Sequence, residues 1–184
     1  MADIDFIRLD VHLHDVANRQ FGRRVVQFSP RHNDTPTDIA LKLIASCSLS
    51  GDRCRVPSTA RRAPSPDLVN LTEAGEMTRC VCIEPESATA VLQALNQAPT
   101  VVVLFASVER AVKWWRKWGK RLSDRKGLVV RAVCEPGLTQ LSSVLSPRMT
   151  GHCTLDGSGC VLCIGSTLVN IEAANINDYS DVTL

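Results

Sequence analysis

Met77-Thr78-Arg79-Cys80-Val81-Cys82-Ile83 and Val101-Val102-Val103-Leu104-Phe105 bracket a segment, Ser87 to Asn96, whose apolar residues recur at helical spacing. Strand, helical crossover, strand is the pattern of a βαβ unit. Two parallel strands need a connection long enough to travel back along the sheet. The second strand is apolar at every position, which suits a central strand with both faces covered. In the intervening helix Val91, Leu92 and Leu95 face the sheet. The fold class that follows is α/β, a mixed central β-sheet flanked by helices.

Upstream, Ile7 to His14 alternates strictly between apolar and polar, the period of a strand with one buried face. Val25-Val26-Gln27-Phe28 is a second strand, and Pro30 to Asp34 is a turn. Thr35 caps a helix with Pro36 at its first position and Asp38 at its positive end, ending before Gly51. Arg53 to Pro66 holds Pro57, Pro64 and Pro66 among arginines and reads as a surface loop with a short edge strand near Cys54-Val56. Pro66-Asp67-Leu68 then leads through a short polar turn into the strand at Met77.

Downstream, Ser107 caps a helix that runs to Leu122, Leu128 to Val133 is a strand, and Pro136 to Leu145 is a short helix. The last third is a C-terminal β-meander of His152–Leu155, Cys160–Ile164 and Leu168–Ile171, with Ala174 to Leu184 as a polar tail. No internal repeat is visible. The length of 184 residues fits a single domain over 1–184. A net charge of +2 removes any global electrostatic argument for nucleic acid and leaves only a local one. The acidic start Met1-Ala2-Asp3-Ile4-Asp5 lacks the apolar core of a signal peptide, and no apolar run is long enough to span a membrane. The expectation is a cytoplasmic chain with no membrane partner, whose eight cysteines are free thiols.

Several pieces in order resemble the YaeQ family of small bacterial proteins. They are Arg31-His32 before the first helix, Pro66-Asp67-Leu68, its spacing to Val101-Val102-Val103, and Arg110-Ala111 followed by Trp114-Trp115. Arg148 and the Cys153-Thr154-Leu155-Asp156-Gly157 hairpin follow. The resemblance implies a compact PD-(D/E)xK, restriction-endonuclease-like core. In such folds a helix acid, a Pro-Asp and a strand acid converge on Mg²⁺, which activates water against a phosphodiester. This chain departs from the pattern where the chemistry sits. The strand positions that carry a Glu and an Asp in the family hold Thr78 and Cys82, and the acidic stretch before Pro-Asp is Arg61-Arg62-Ala63. Asp67 survives, with Glu76 and Asp34 as stand-ins, and a carboxylate beside a thiol and a hydroxyl is a poor Mg²⁺ site.

Other constellations read more plainly. Asp67, Glu76 and Glu84 form either a rearranged acidic cluster or a turn cap with two solvated acids, and the second reading is favoured. Cys80-x-Cys82 with Cys160-x-x-Cys163 looks like a zinc set, but these cysteines lie on strands, where buried thiols behave as small hydrophobes. No metal ligand is assigned. Nothing in the spacing selects a Cys-His pair from His12, His14, His32 and His152. The helix from Ser107 is the most informative surface. Ala111, Trp115, Trp118 and Leu122 make its buried stripe. Arg110, Lys113, Lys117, Lys120 and Arg121 lie opposite, with Trp114 among them and Arg116, Arg125 and Lys126 extending the charge. Exposed, Trp114 stacks on a base; buried, it joins Trp115 in the core.

Three functions fit. The first is a pseudo-nuclease, without cofactor, that binds DNA or RNA on this face with help from Arg61 and Arg62, alone or beside protein partners in a nucleoprotein assembly. The second is an active Mg²⁺-dependent nuclease using Asp67 and Glu76. The third is a protein-interaction module that docks its arginine-rich loop on an acidic partner. The lost acids and gained arginines favour the first.

Overall fold

A computed structural model describes residues 5–17, 19–49, 54–55 and 66–177. In chain order the elements are β1 (Ile7–Asp15), β2 (Gln20–Phe28), α1 (Pro36–Ser48), β3 (Cys54–Arg55), β4 (Leu68–Leu71), β5 (Met77–Ile83) and α2 (Ala88–Leu95). They continue with β6 (Thr100–Phe105), α3 (Val108–Leu122), β7 (Leu128–Val133), α4 (Glu135–Ser143), β8 (Arg148–Leu155), β9 (Gly159–Ile164) and β10 (Thr167–Asn175). The chain is a mixed α/β protein that divides into two compact units. Unit 1 is Met1–Asp52 with Cys134–Ala173, and unit 2 is Arg53–Val133 with Ala174–Leu184.

In unit 1 the strand order is β2-β1-β8-β9-β10. β1 pairs antiparallel with β2 and parallel with β8, while β8, β9 and β10 form the expected antiparallel meander. The alternation of β1 is realised: Ile7, Leu9, Val11 and Leu13 are buried, while His12 and His14 are exposed. The cap of α1 forms as read. Thr35 Oγ1 accepts from Asp38 N, and the Asp38 carboxylate accepts from Thr35 N, so the helix start is satisfied from both sides. Helix α4 begins hard against β10, where a Cβ at Gly137 would come within 2.2 Å of the Asn170 carbonyl oxygen.

In unit 2 the order is β7-β6-β5-β4-β3. β6 lies between β5 and β7, parallel to both, as its unbroken apolar run requires. Ser87 and Ser107 cap α2 and α3 through their hydroxyls. Both helices pack over one core, in which Cys80, Cys82, Val91, Val101, Val103, Phe105, Trp114 and Trp115 are buried together.

Some boundaries differ from the reading. β2 starts at Gln20 rather than Val25, because its outward residues Phe21 and Val25 are apolar and its inward Gly22 and Arg24 are not, which hides the alternation. β4 occupies the segment read as a polar turn; it pairs antiparallel with β5 through a hairpin in which Thr72 N donates to Glu76 O at 2.8 Å and Gly75 adopts φ 84°. β8 begins at Arg148, drawn out by β1, and β10 runs to Asn175. The polar tail is docked at its start. Ile176 is buried with its N–H on Val130 O, and Asn177 Oδ1 accepts from Val130 N at 2.6 Å. No helix among the described residues is long and apolar enough to cross a membrane.

The contact at Gly137 carries a stability test. Gly137→Ala must push α4 off the β10 backbone, and we expect a loss of about 1–3 kcal/mol, read as a lower urea midpoint at unchanged slope.

Candidate nucleic-acid interface

The Pro-Asp element sits at the carboxyl end of β5. Asp67 N donates to Val81 O at 2.8 Å, and one Asp67 carboxylate oxygen accepts from Ile83 N at 2.7 Å. Its neighbour Cys82 stands close enough for the Asp67 charge to act on it. Burial first, then Cys80 and Asp67, push the Cys82 thiol far above its ordinary range. Thr78 turns its hydroxyl onto Asn70 O at 3.2 Å. Neither residue offers the ionised oxygen that a hard cation needs.

Glu76 does not join this site. It lies in the exposed hairpin turn before β5, and Asp67 lies at the other end of the same strand pair, where Leu68 faces Val81. With about 3.3 Å of rise per residue, that separates the two by most of a strand. Asp67 and Glu76 therefore do not stand side by side in the structure. Glu84 is the acid at the right end, and it is already engaged. It holds φ 45°, its Oε1 accepts from Ala106 N at 3.0 Å, and its Oε2 forms an ion pair with Arg110. Asp34, in unit 1, accepts from Arg31 N at 2.7 Å and pairs with the buried Lys42 ammonium. Among the described residues no three His, Cys, Asp or Glu side chains are grouped as metal ligands.

Helix α3 separates its two sides strongly. Ala111, Trp114, Trp115, Gly119 and Leu122 are buried. Trp114 takes the place expected for Trp118: it is 7 % exposed and packs on Phe105 at 5.6 Å between ring centroids, so it is a core residue and not a stacking surface. Position 114, three on from Ala111, and position 118, three on from Trp115, both border the stripe, and the packing of α3 on Phe105 selects Trp114. Gly119 makes room for the Trp115 ring, whose atoms lie 2.9 Å from where a Cβ would stand. Trp118 is half-buried at the margin, with Lys117 Nζ 4.9 Å and the Arg121 guanidinium 5.9 Å from its ring centroid. These cation–π contacts hold two of the basic side chains against the helix.

Lys113, Arg116, Lys117, Lys120 and Arg121 are exposed, and among the described residues none of them pairs with a carboxylate. Arg110, which sequence reasoning grouped with them, is instead held by Glu84. Nothing in the spacing of Glu84 and Arg110 announces that pair; it arises because the end of β5 and the first turn of α3 meet beyond β6. Arg61 and Arg62 lie outside the described residues. The zinc reading finds no support in the cysteines. Cys80 and Cys82 are core residues of unit 2, and burial pushes the Cys80 thiol up to about 11. Cys160 is buried in unit 1, while Cys163 is turned outward on the opposite strand face.

The family model for YaeQ protein matches residues 3–173 of the chain. Among solved structures, the YaeQ protein from Xanthomonas axonopodis pv. citri matches with TM-score 0.84 at 14% identity, over 94% of this chain and 97% of that one. The YaeQ protein from Pseudomonas syringae matches with TM-score 0.83 at 10% identity, over 96% and 97%. No curated protein matches the sequence. At these identities the structures attest the fold, and the family model, which spans most of the chain, attests descent: the chain belongs to the YaeQ family.

Proposed function

We propose that this protein is a non-catalytic member of its family that binds the phosphate backbone of DNA or RNA through α3, alone or within a nucleoprotein assembly. The observation that carries the reading is the row Lys113, Arg116, Lys117, Lys120 and Arg121, exposed on one side of a helix and without carboxylate partners among the described residues. Positions three and four apart are neighbours on a helix, so these cations form one strip. Their opposite side is anchored by two buried tryptophans, so the strip is presented from a fixed element. A strip of unpaired Lys and Arg gains from releasing counterions condensed on a nucleic acid, independently of sequence.

The absence of cleavage is part of the same reading. Asp67 is engaged by a backbone N–H, Thr78 by a carbonyl, Cys82 is buried, and Glu84 is neutralised by Arg110. A restriction-endonuclease-like ancestry would explain why a Pro-Asp persists there without its partners.

Replacing Lys113, Lys117, Lys120 and Arg121 by Ala is expected to weaken binding of all sequences alike and to flatten the salt dependence by roughly 0.9 log unit per lost duplex contact. Fluorescence anisotropy over a salt series reads this, with incubation in Mg²⁺ or Mn²⁺ as the cleavage control. Binding indifferent to the four charges leaves the protein-interaction reading, and cleavage that vanishes in Asp67→Ala establishes the nuclease.

The Glu84–Arg110 pair supplies a change of opposite sign. Glu84→Gln keeps an oxygen for Ala106 N but releases the Arg110 guanidinium. Affinity at low salt should rise and the salt slope should steepen by about one unit. An unchanged slope would place Arg110 off the binding path.

A further inference from the structure

The outward face of the unit 1 sheet carries a cavity of about 240 Å³ bordered by Asp10, His12, Arg23, Thr150, His152 and Cys163. Strand register builds it. His12 faces Arg23 on β2 and His152 on β8, and His152 faces Cys163 on β9. One row of side chains across the sheet thus reads Arg23, His12, His152, Cys163, and the next row places Asp10 beside Thr150. The two imidazoles are stacked, with centroids 5.3 Å apart and planes 20° from parallel. Stacked rings turn one face to each other, so each imidazole keeps an outer face on which a further ring can continue the stack. The cavity wall at Gly151 is bare backbone, because a Cβ there would lie 2.2 Å from the Cys163 carbonyl oxygen.

The polar groups around the stack are of mixed kind. Asp10 accepts from Arg8 at 3.0 Å and from Arg23 at 3.4 Å. The Arg8 hydrogen bond holds its carboxyl below the ordinary range, so it remains an acceptor. Arg23 is 69% exposed and keeps further N–H donors toward solvent, and Thr150 adds an exposed hydroxyl. In the adjoining row Phe21 is 67% exposed, with His14 edge-on to it at 5.7 Å. Arg8 and Arg148 are directly paired on the other side of Asp10.

We propose that this cavity takes an unpaired nucleobase that extends the His12–His152 stack, with its polar edge toward Asp10, Arg23 and Thr150. A nucleobase is a planar ring whose rim carries donors and acceptors together, and the stack offers a ring face with both kinds of group nearby. An aliphatic ligand would leave Asp10 and Arg23 unused. A bare anion would meet the Asp10 carboxylate. A paired base hides both its faces, so the duplex form does not fit. Phe21 gives a neighbouring base a second ring, and Arg8 and Arg148 stand where a linking phosphate can be met. The same ring can arrive as a free nucleotide or within a single strand. This site belongs to unit 1 alone and does not depend on α3.

The test uses the full chain with a labelled single-stranded oligouridylate, the same strand made abasic, the corresponding duplex, and uridine monophosphate as competitor. The abasic strand keeps every phosphate and loses the ring. Against the wild type it should bind about five- to a hundredfold more weakly than the intact strand. The double variant His12→Ala with His152→Ala should lose a similar factor on the intact strand and bind the abasic strand as before. Both residues are exposed, so the fold should survive, and a melting curve checks it. A second measurement needs no variant: the imidazole NMR signals of His12 and His152 should shift on adding the strand while that of His32 stays. Competition by the mononucleotide identifies a free nucleotide as the source, its failure a base within a strand, and either supports the site. Loss of α3 charges should weaken intact and abasic strands equally, which separates the two surfaces. Equal binding of intact and abasic strands by the wild type, or unmoved His12 and His152 signals, would overturn the proposal.

Discussion

Unit 2 depends on one constraint: β6 is apolar at its centre and must be covered on both edges and over its face. Parallel pairing with β5 and β7 satisfies the edges. Parallel pairs need crossovers, and the crossovers here are α2 and α3. The helices therefore pack over β5, β6 and β7, and the bulk of Trp114 and Trp115 fills the space beneath α3. Two large rings on one side of a helix leave only the other side for charge. The basic strip is thus the complement of the core, and its rigidity comes from the same packing.

The electrostatics at the end of β5 run in the opposite sense. The carboxylates there are occupied: Asp67 by Ile83 N, Glu84 by Ala106 N and Arg110. A carboxylate that caps backbone donors and neutralises a guanidinium has few lone pairs left for a cation, and hard divalent ions demand many. Cys82 beside Asp67 adds a thiol that burial keeps protonated. Of the two negative charges at that spot, one is cancelled by Arg110.

Unit 1 solves a different problem. Its strands bury one face through Ile7, Leu9, Val11, Leu13, Leu162, Val169 and Ile171 and turn the other to solvent. Such a face normally carries scattered polar side chains. Here register across β2, β1, β8 and β9 gathers imidazoles, an arginine, a carboxylate and a thiol into adjacent positions. Within its own strand none of these residues announces the others.

Local pattern was legible wherever one segment carries its own signal. The period of Ile7–His14, the apolar run of β6, and the Thr35 and Ser107 caps each follow from side chains near in sequence, so the elements appear where the sequence puts them. The family's spacing, from Arg31-His32 through Pro66-Asp67-Leu68 to Arg110-Ala111, was equally visible. Tertiary structure alone decided the rest. Whether Trp114 or Trp118 fills the core depends on how α3 rolls against Phe105, which no periodicity states. That β4 is a strand depends on β5 being there to pair with it. The partner of Arg110, the separation of Asp67 from Glu76, and the meeting of His12 with His152 are set by hydrogen-bonded register between segments distant in the chain. Sequence fixes what each side chain can do, and the ladder of backbone bonds chooses which of them stand together.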